Sequence, residues 1–221
     1  TSANSINVAR WIPQMLYYFI AYKNLNSKDS NLVVSVPSGN FGNLCAGMLA
    51  KRMGLPIDHF IASTNENDTI PRFMKSGKYK KQKSISTITN AMDVGDPSNF
   101  VRILNIYNNN FKSLKKELTA YKFSDQETIL GIKELFHKSK YLLDPHGATA
   151  YLGLKKYLEK NPKGIGVFLE TAHPIKFLDT VENALNVKIN IPKHILKLKK
   201  KKKTKIGIKN YEQLKSFLLS R

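Results

Sequence analysis

The stretch Leu32-Val33-Val34-Ser35-Val36-Pro37-Ser38-Gly39-Asn40-Phe41-Gly42-Asn43, running into Leu44-Cys45-Ala46-Gly47-Met48-Leu49-Ala50-Lys51-Arg52, decides the fold class. Its apolar, β-branched opening reads as a buried strand. Gly39 and Gly42 then free the backbone, through φ > 0 geometry and close approach, to turn N–H groups toward an anion. The helical run that follows adds its own unpaired first-turn N–H donors and the positive end of its dipole. Strand, glycine turn and helix N-terminus together predict a phosphate cradle. The same pattern also serves as an ordinary strand-to-helix connection, so the surrounding sequence has to choose between them.

Outward from this unit the chain alternates strands and helices. Val8, Trp11, Ile12, Met15, Leu16, Phe19 and Ile20 recur at helical spacing and predict a buried helix over residues 7–25, with Pro13 in its first turn or at a kink. Phe60-Ile61-Ala62 reads as a second strand, and Asn67 or Asp68 as the cap of a helix ending near Lys75. Residues 76–90 are basic and polar without a period, which predicts a surface excursion. Helices are expected over 98–110 and 125–138, the second capped by Ser124 or Asp125. Asp144-Pro145-His146-Gly147 opens a helix to about Lys160, with proline placed for a first turn. Residues 164–169 form a strand, and Thr171-Ala172-His173-Pro174 leads into a helix to Asn186. Strands joined by helical crossovers predict an α/β, doubly wound, mostly parallel sheet over residues 1–190. Residues 191–221 read as a lysine-rich connector and a terminal helix. The connector is expected to be extended or disordered from Ile195 through its five consecutive lysines, 199–203, which repel one another. Tyr211, Leu214, Phe217 and Leu218 mark one face of the terminal helix.

Composition narrows the classes. The chain has 221 residues, 42% hydrophobic, with no run near the roughly 20 apolar residues of a membrane span. It begins Thr1-Ser2-Ala3-Asn4 without a secretory pattern or an initiator Met, so it is expected to start inside a longer polypeptide. The single cysteine, Cys45, excludes an internal disulfide, fits a reducing cytoplasm and reads as a small core residue. The net charge of +20 invites a nucleic-acid partner, yet only five of the 36 basic residues are arginine, and lysines are concentrated in 193–209. A solvated lysine-rich surface accounts for the charge better, with neither membrane nor nucleic acid expected as partner.

Five blocks then converge. They are Ser2-Ala3-Asn4-Ser5-Ile6-Asn7 with Arg10, Ser35-Val36-Pro37-Ser38-Gly39-Asn40-Phe41-Gly42, Thr64-Asn65-Glu66-Asn67-Asp68 with Arg72-Phe73, Ala91-Met92-Asp93-Val94 with Asn99, and Thr171-Ala172-His173-Pro174 with Lys176-Phe177. In this order and spacing the chain resembles the C-terminal half of the long, bacterial and fungal branch of threonine synthases, over about residues 1–190. The resemblance implies the tryptophan-synthase-β-like fold and pyridoxal 5′-phosphate as cofactor. The implied activity converts O-phospho-L-homoserine and water to L-threonine and phosphate. It also implies that Gly39, Asn40, Phe41, Gly42 and Asn43 hold the cofactor phosphate through backbone N–H groups, and that Thr171 faces the pyridine nitrogen. On the residues alone, Thr171 is equally well placed as a helix N-cap. Asn4, Asn7 and Arg10 are candidates for the substrate phosphate, with helix capping and a polar helix face as their alternative. His146 and His173 read as helix-start residues, and nothing suggests a metal site.

One departure stands out. The family's Schiff-base lysine lies in a Phe-Lys-Asp-like segment of the N-terminal half, and no such segment occurs here. Lys51, Lys75 and Lys176 lack a matching context. The chain is therefore expected to need the N-terminal half of the same enzyme as partner and to be inactive alone. Two other readings compete: another pyridoxal-phosphate enzyme of the same fold, such as a dehydratase or cysteine-synthase-like protein, and a non-catalytic polyanion-binding module acting through the lysine tail.

Overall fold

The computed structural model describes residues 7–25, 31–202 and 204–220. Asn4 and Lys203 lie outside the described residues. The chain divides into two units, Thr1–Lys188 and Ile189–Arg221.

The first unit is built on a four-stranded sheet of β1 (Asn31–Pro37), β2 (His59–Thr64), β3 (Leu118–Lys122) and β4 (Gly164–Phe168), ordered β3-β2-β1-β4 with every pair parallel. β1 is an inner strand, Val34 lying opposite Phe60 on one side and Val167 on the other. Residues 32–36 are buried throughout, which is why the sequence there is a continuous apolar run and not an alternating one. Alternation still sorts the two faces. Leu32, Val34 and Val36 join the large core with α1 (Trp11–Lys23) and α2 (Gly42–Arg52), together with Phe60 and Ala62 of β2. Val33 and Ile61 face the other way and pack on Leu154 of α7 (Pro145–Leu158). α7 comes close at Gly153, where a Cβ would strike the paired hydroxyls of Ser35 and Ser63, themselves 3.0 Å apart. Helices thus cover both faces, as expected of a doubly wound sheet.

Topology then picks out one place. From β1 the chain passes through α2 to β2 on one side, whereas β4, on β1's other side, arrives only after α7. The strand order therefore reverses at β1, and such reversals open a crevice at the carboxyl ends of the strands. Residues 38–43 leave β1 there, and residues 169–174 leave β4.

Several local expectations need correction. α1 is not buried: Trp11, Met15 and Tyr18 are, but Ile12 is 62% and Ile20 56% exposed. Pro13 sits in its first turn, as the sequence allowed. α3 (Thr69–Ser76) has Asp68 at its N-cap position without a side-chain cap bond; that carboxylate instead meets Arg72 at 2.8 Å and Lys122 at 3.1 Å, cations that hold it below the usual range despite its burial. Residues 98–110 yield the shorter α4 (Phe100–Ile106), followed by α5 (Phe111–Glu117) and β3, neither of which the pattern indicated. The excursion over 76–90 is mostly exposed but tethered: Asn67 exchanges hydrogen bonds with the Ile85 backbone, donating at 2.9 Å and accepting at 2.8 Å. α6 (Asp125–Ser139) starts at a Ser124 capping box, and α8 (Leu178–Leu185) ends at a left-handed Asn186.

In the second unit, α9 (Lys193–Lys199) is helical, against the expected extended chain. Lysine is a good helix former, and α9 ends as the five-lysine run begins. α10 (Tyr211–Leu219) starts at Asn210, whose side chain accepts from Gln213 N–H at 3.0 Å. No helix among the described residues is long and apolar enough to cross a membrane.

Candidate active site

The crevice at the strand reversal holds a cavity of about 370 Å³ lined by residues 39–43, Arg10, Thr171 and His146, with Ala91 and Met92 closing it. Each wall has a local cause. After β1, Ser38 is fixed by its N–H to Ser63 O at 2.8 Å and its hydroxyl to Val36 O at 2.8 Å. Gly39 then lies against the 3-10 turn Asn90–Met92, where a Cβ would sit 2.6 Å from Met92 Cα and 2.9 Å from Ala91 O. The turn is held there by a buried polar network: the Asn65 side chain donates to Asp93 at 2.8 Å and to the Thr87 and Thr89 hydroxyls at 2.9 Å each. Two of the sequence blocks, around 64–68 and 91–94, therefore act as one brace behind the loop.

Left-handed backbone in the loop falls on Phe41, at φ 63°, and on neither glycine. The expectation of positive φ at Gly39 and Gly42 is corrected accordingly: Gly39 is required by close backbone packing, and Gly42 is the first residue of α2. Holding a phenylalanine left-handed costs on the order of 1–2 kcal/mol. Its ring offsets this by burial to 3% exposure and an edge-to-face contact with Phe100 at 5.7 Å. A left-handed residue next to helical ones turns successive N–H groups to one side, which is an anion-binding concavity. No side chain caps α2. The side chains of the two asparagines are used for bracing, Asn40 Oδ1 accepting from Ser98 N–H at 2.7 Å and Asn43 Oδ1 from the Tyr18 hydroxyl at 2.8 Å.

The opposite wall comes from β4 and α7. Thr171 is exposed and lines this cavity and two adjoining ones of about 710 and 630 Å³. It caps no helix: the 3-10 turn Pro174–Phe177 is capped by His173, whose Nδ1 accepts from Ile175 N–H at 3.1 Å. Glu170 beside it accepts from Asp144 N–H at 2.8 Å through Oε1. Burial pushes the Glu170 carboxyl up to about 7, aided by the charge of Asp144 and opposed by that N–H.

Arg10 reaches the cavity and also lines the 710 Å³ one. Asn7 does not; its Oδ1 accepts from Ala9 N–H at 3.1 Å and caps the turn before α1, so its capping alternative holds. Among the described residues, no lysine lines the 370 Å³ cavity. Lys51 is paired with Glu117 at 3.1 Å, and Lys176 lines the 630 Å³ cavity beside Thr171. Cys45 is fully buried, and burial pushes its thiol up to about 12, which makes it the inert core residue expected.

Sequence reasoning set aside His146, and the structure brings it to the site. Asp144 caps α7 through His146 N–H at 2.8 Å and Gly147 N–H at 3.3 Å, and its Oδ1 also lies 2.8 Å from His146 Nδ1. Both side chains are buried, and Nε2 has no partner among the described residues. The only signal for it in the sequence is an Asp two residues before a His at a proline-started helix.

A backbone concavity at an uncapped helix N-terminus, an arginine, a hydroxyl across the cavity and a buried ring nitrogen without a partner suit a phosphate-bearing planar ligand. Comparison with known proteins points to the same chemistry. A family model for pyridoxal-phosphate dependent enzymes matches residues 6–169, and one for the threonine synthase C-terminal region matches residues 147–218. A curated threonine synthase from Buchnera aphidicola subsp. Schizaphis graminum is 49% identical over 195 residues, covering 88% of this chain and 44% of that protein. The Escherichia coli threonine synthase is 44% identical over 195 residues, covering 88% and 45%. Among solved structures, the E. coli enzyme superposes with a TM-score of 0.83 at 43% identity over 89% of this chain and 45% of the other. A PLP-bound threonine synthase from Brucella melitensis gives 0.83 at 32% identity over 92% and 49%. The chain spans about half the length of the curated relatives it matches. With a family model covering most of the chain and its crevice falling where the strand order reverses, the chain belongs to the pyridoxal-phosphate dependent enzymes.

Proposed function

We propose that this chain is the C-terminal half of a cytoplasmic threonine synthase, which converts O-phospho-L-homoserine and water into L-threonine and phosphate with pyridoxal 5′-phosphate. The observation that carries the reading is the convergence of residues 39–43, from the end of β1, and Thr171, from the end of β4, on one cavity that also takes in Arg10. When bound, the cofactor supplies the electron sink for the carbon chemistry. The backbone N–H groups of Gly39, Asn40, Phe41, Gly42 and Asn43 hold its phosphate, helped by the positive end of α2. Thr171 sets a neutral hydroxyl at the pyridine nitrogen, which does not enforce protonation there as a carboxylate would. Arg10 contributes a forked, permanently charged donor for the substrate phosphate, with Asn4 as a second candidate. The lysine that bonds the cofactor comes from the N-terminal half of the same enzyme, which is this chain's partner. Residues 1–190 belong to the catalytic region and 191–221 form its connector and terminal helix.

The test has two arms. Absorbance titration of the chain with pyridoxal 5′-phosphate should show saturable binding that Gly39→Val weakens. The chain alone should release no phosphate from O-phospho-L-homoserine, and an N-terminal half carrying the lysine should restore release. Turnover by the chain alone would mean that a lysine at hand is catalytic. Absence of any cofactor binding would overturn the reading of the cavity.

A further inference from the structure

The His146 ring is fixed at every point but one. Asp144 Oδ1 lies 2.8 Å from Nδ1, the backbone N–H of His146 is bonded to the same oxygen, and the Phe177 ring packs 4.8 Å from the imidazole. The residue is 3% exposed and lines the cavity that takes in residues 39–43 and Thr171. Nε2 alone is left over, buried and without a partner among the described residues. A buried polar atom without a partner is costly, so a ring held this firmly with one nitrogen unanswered points to a group supplied from outside the chain. A histidine present only to pack would not need Asp144 to choose its orientation.

We infer that His146 is a further binding residue of this cavity, its Nε2 hydrogen-bonding an anionic oxygen of the phosphate-bearing ligand while Asp144 holds the ring in place. This rests on the cavity reading above and adds a contact to it. The proton follows from the geometry. With Asp144 accepting from Nδ1–H, a neutral ring would turn a lone pair toward the anionic oxygen, and both would be acceptors. The contact therefore requires Nε2–H, and the imidazolium so formed lies between two negative groups, the Asp144 carboxylate and the ligand. The other charged groups around it are Arg10, lining the same cavity, and Glu170, whose Oε1 reaches Asp144 N–H and would lie 2.9 Å from a Cβ at Gly147. Because burial pushes the Glu170 carboxyl up to about 7, the readout has to be specific to the ring.

The experiment uses this chain with ring-labelled histidine, titrated with pyridoxal 5′-phosphate and, separately, with inorganic phosphate. Nitrogen NMR should show His146 Nε2 moving to a protonated, donating state on saturation. His146→Phe should weaken binding at pH 6.5 at least tenfold, the scale of a lost hydrogen bond to a charged group. His146→Gln, which keeps a donor at this position, should stay within about threefold at pH 6.5, and its milder change guards against a Phe variant that misfolds. A response to pyridoxal 5′-phosphate but not to phosphate assigns the contact to an oxygen on the ring side of the ligand. Unchanged Nε2 resonances at saturation, or a folded Phe variant that binds like the parent, overturn the inference while leaving the cavity reading intact. A parent chain that binds neither probe overturns both.

Discussion

α2 and α7 both begin at the cavity, α2 from a left-handed Phe41 with no side-chain cap and α7 from a buried Asp144 that accepts from two of its first-turn N–H groups. The difference separates a site for a ligand from a site for a side chain. The Asp144 side chain occupies the positive end of α7, so the favourable place for negative charge there is taken. At α2 no described side chain caps the helix, and the residue before it, Phe41, is held left-handed. One helix start fixes a histidine; the other carries no side-chain cap among the described residues.

Removing the built-in anion should have the largest effect on stability. Asp144→Ala strips the acceptor from His146 N–H, Gly147 N–H and His146 Nδ1, all buried. A lost cap costs about 1 kcal/mol and stranded buried donors a further 1–3 kcal/mol, so about 3 kcal/mol in all is expected. Urea unfolding at pH 7.5 checks this, and a loss below about 1 kcal/mol would mean that α7 does not depend on the carboxylate.

The open helix start should be sensitive to volume where α7's start is sensitive to charge. Gly39→Val drives a Cβ into the Met92 and Ala91 backbone, and the Asn65 and Asp93 network resists any retreat of that turn. Overpacking of this kind costs about 2 kcal/mol. It should also weaken pyridoxal 5′-phosphate binding by more than the stability loss explains, since the loop wall itself moves. Comparing the melting temperature with the binding titration separates the two, and a folded variant with parental affinity would reduce the loop to a structural turn.

A third effect tests whether Glu170 belongs with α7's filled site. Its carboxyl is raised to about 7, so between the unfolded value near 4.5 and about 7 the folded chain holds a proton that the unfolded chain has released. Stability from this group therefore falls as pH rises through that window and levels off above it. Partial solvent screening limits the change to about 1–2 kcal/mol. Glu170→Gln should remove the slope and leave the chain more stable than the parent at pH 8. An unchanged slope would place the titration elsewhere.

How much of this was legible depended on whether the signal was local. The β1 run and the Asp144-Pro145 helix start both follow from the conformational limits of a few adjacent residues, and the structure has both. β3 carries a short, mixed Leu118-Thr119-Ala120-Tyr121-Lys122 sequence, and only pairing with β2 makes it a strand. In α1 the apolar residues cover more than one face, so helical spacing could not say which of them would be buried. For Gly39 the expected close approach holds and the expected positive φ does not; the backbone it approaches belongs to a turn more than fifty residues away, which the local sequence does not show. His146 was passed over because a lone histidine says nothing until Asp144 and the cavity are in place.

The smallest effect serves as the control for the contrast between helix starts. α6 is capped by a full box, Ser124 Oγ accepting from Glu127 N–H at 3.2 Å while Glu127 Oε2 accepts from Ser124 N–H at 2.7 Å. This start is exposed and lines no part of the 370 Å³ cavity. Ser124→Ala leaves Glu127 in place and removes one of two reciprocal bonds, so the expected loss is about 1 kcal/mol. Because Ile88 N–H reaches the adjacent Asp125 at 3.2 Å, some loosening of the tethered excursion should accompany it. Pyridoxal 5′-phosphate affinity should nevertheless stay within about twofold, since neither the loop nor its brace at Asp93 bonds to this cap. If affinity fell as far as in Gly39→Val, the cavity would be responding to general loosening of the fold, and the distinction drawn between α2 and α7 would fail.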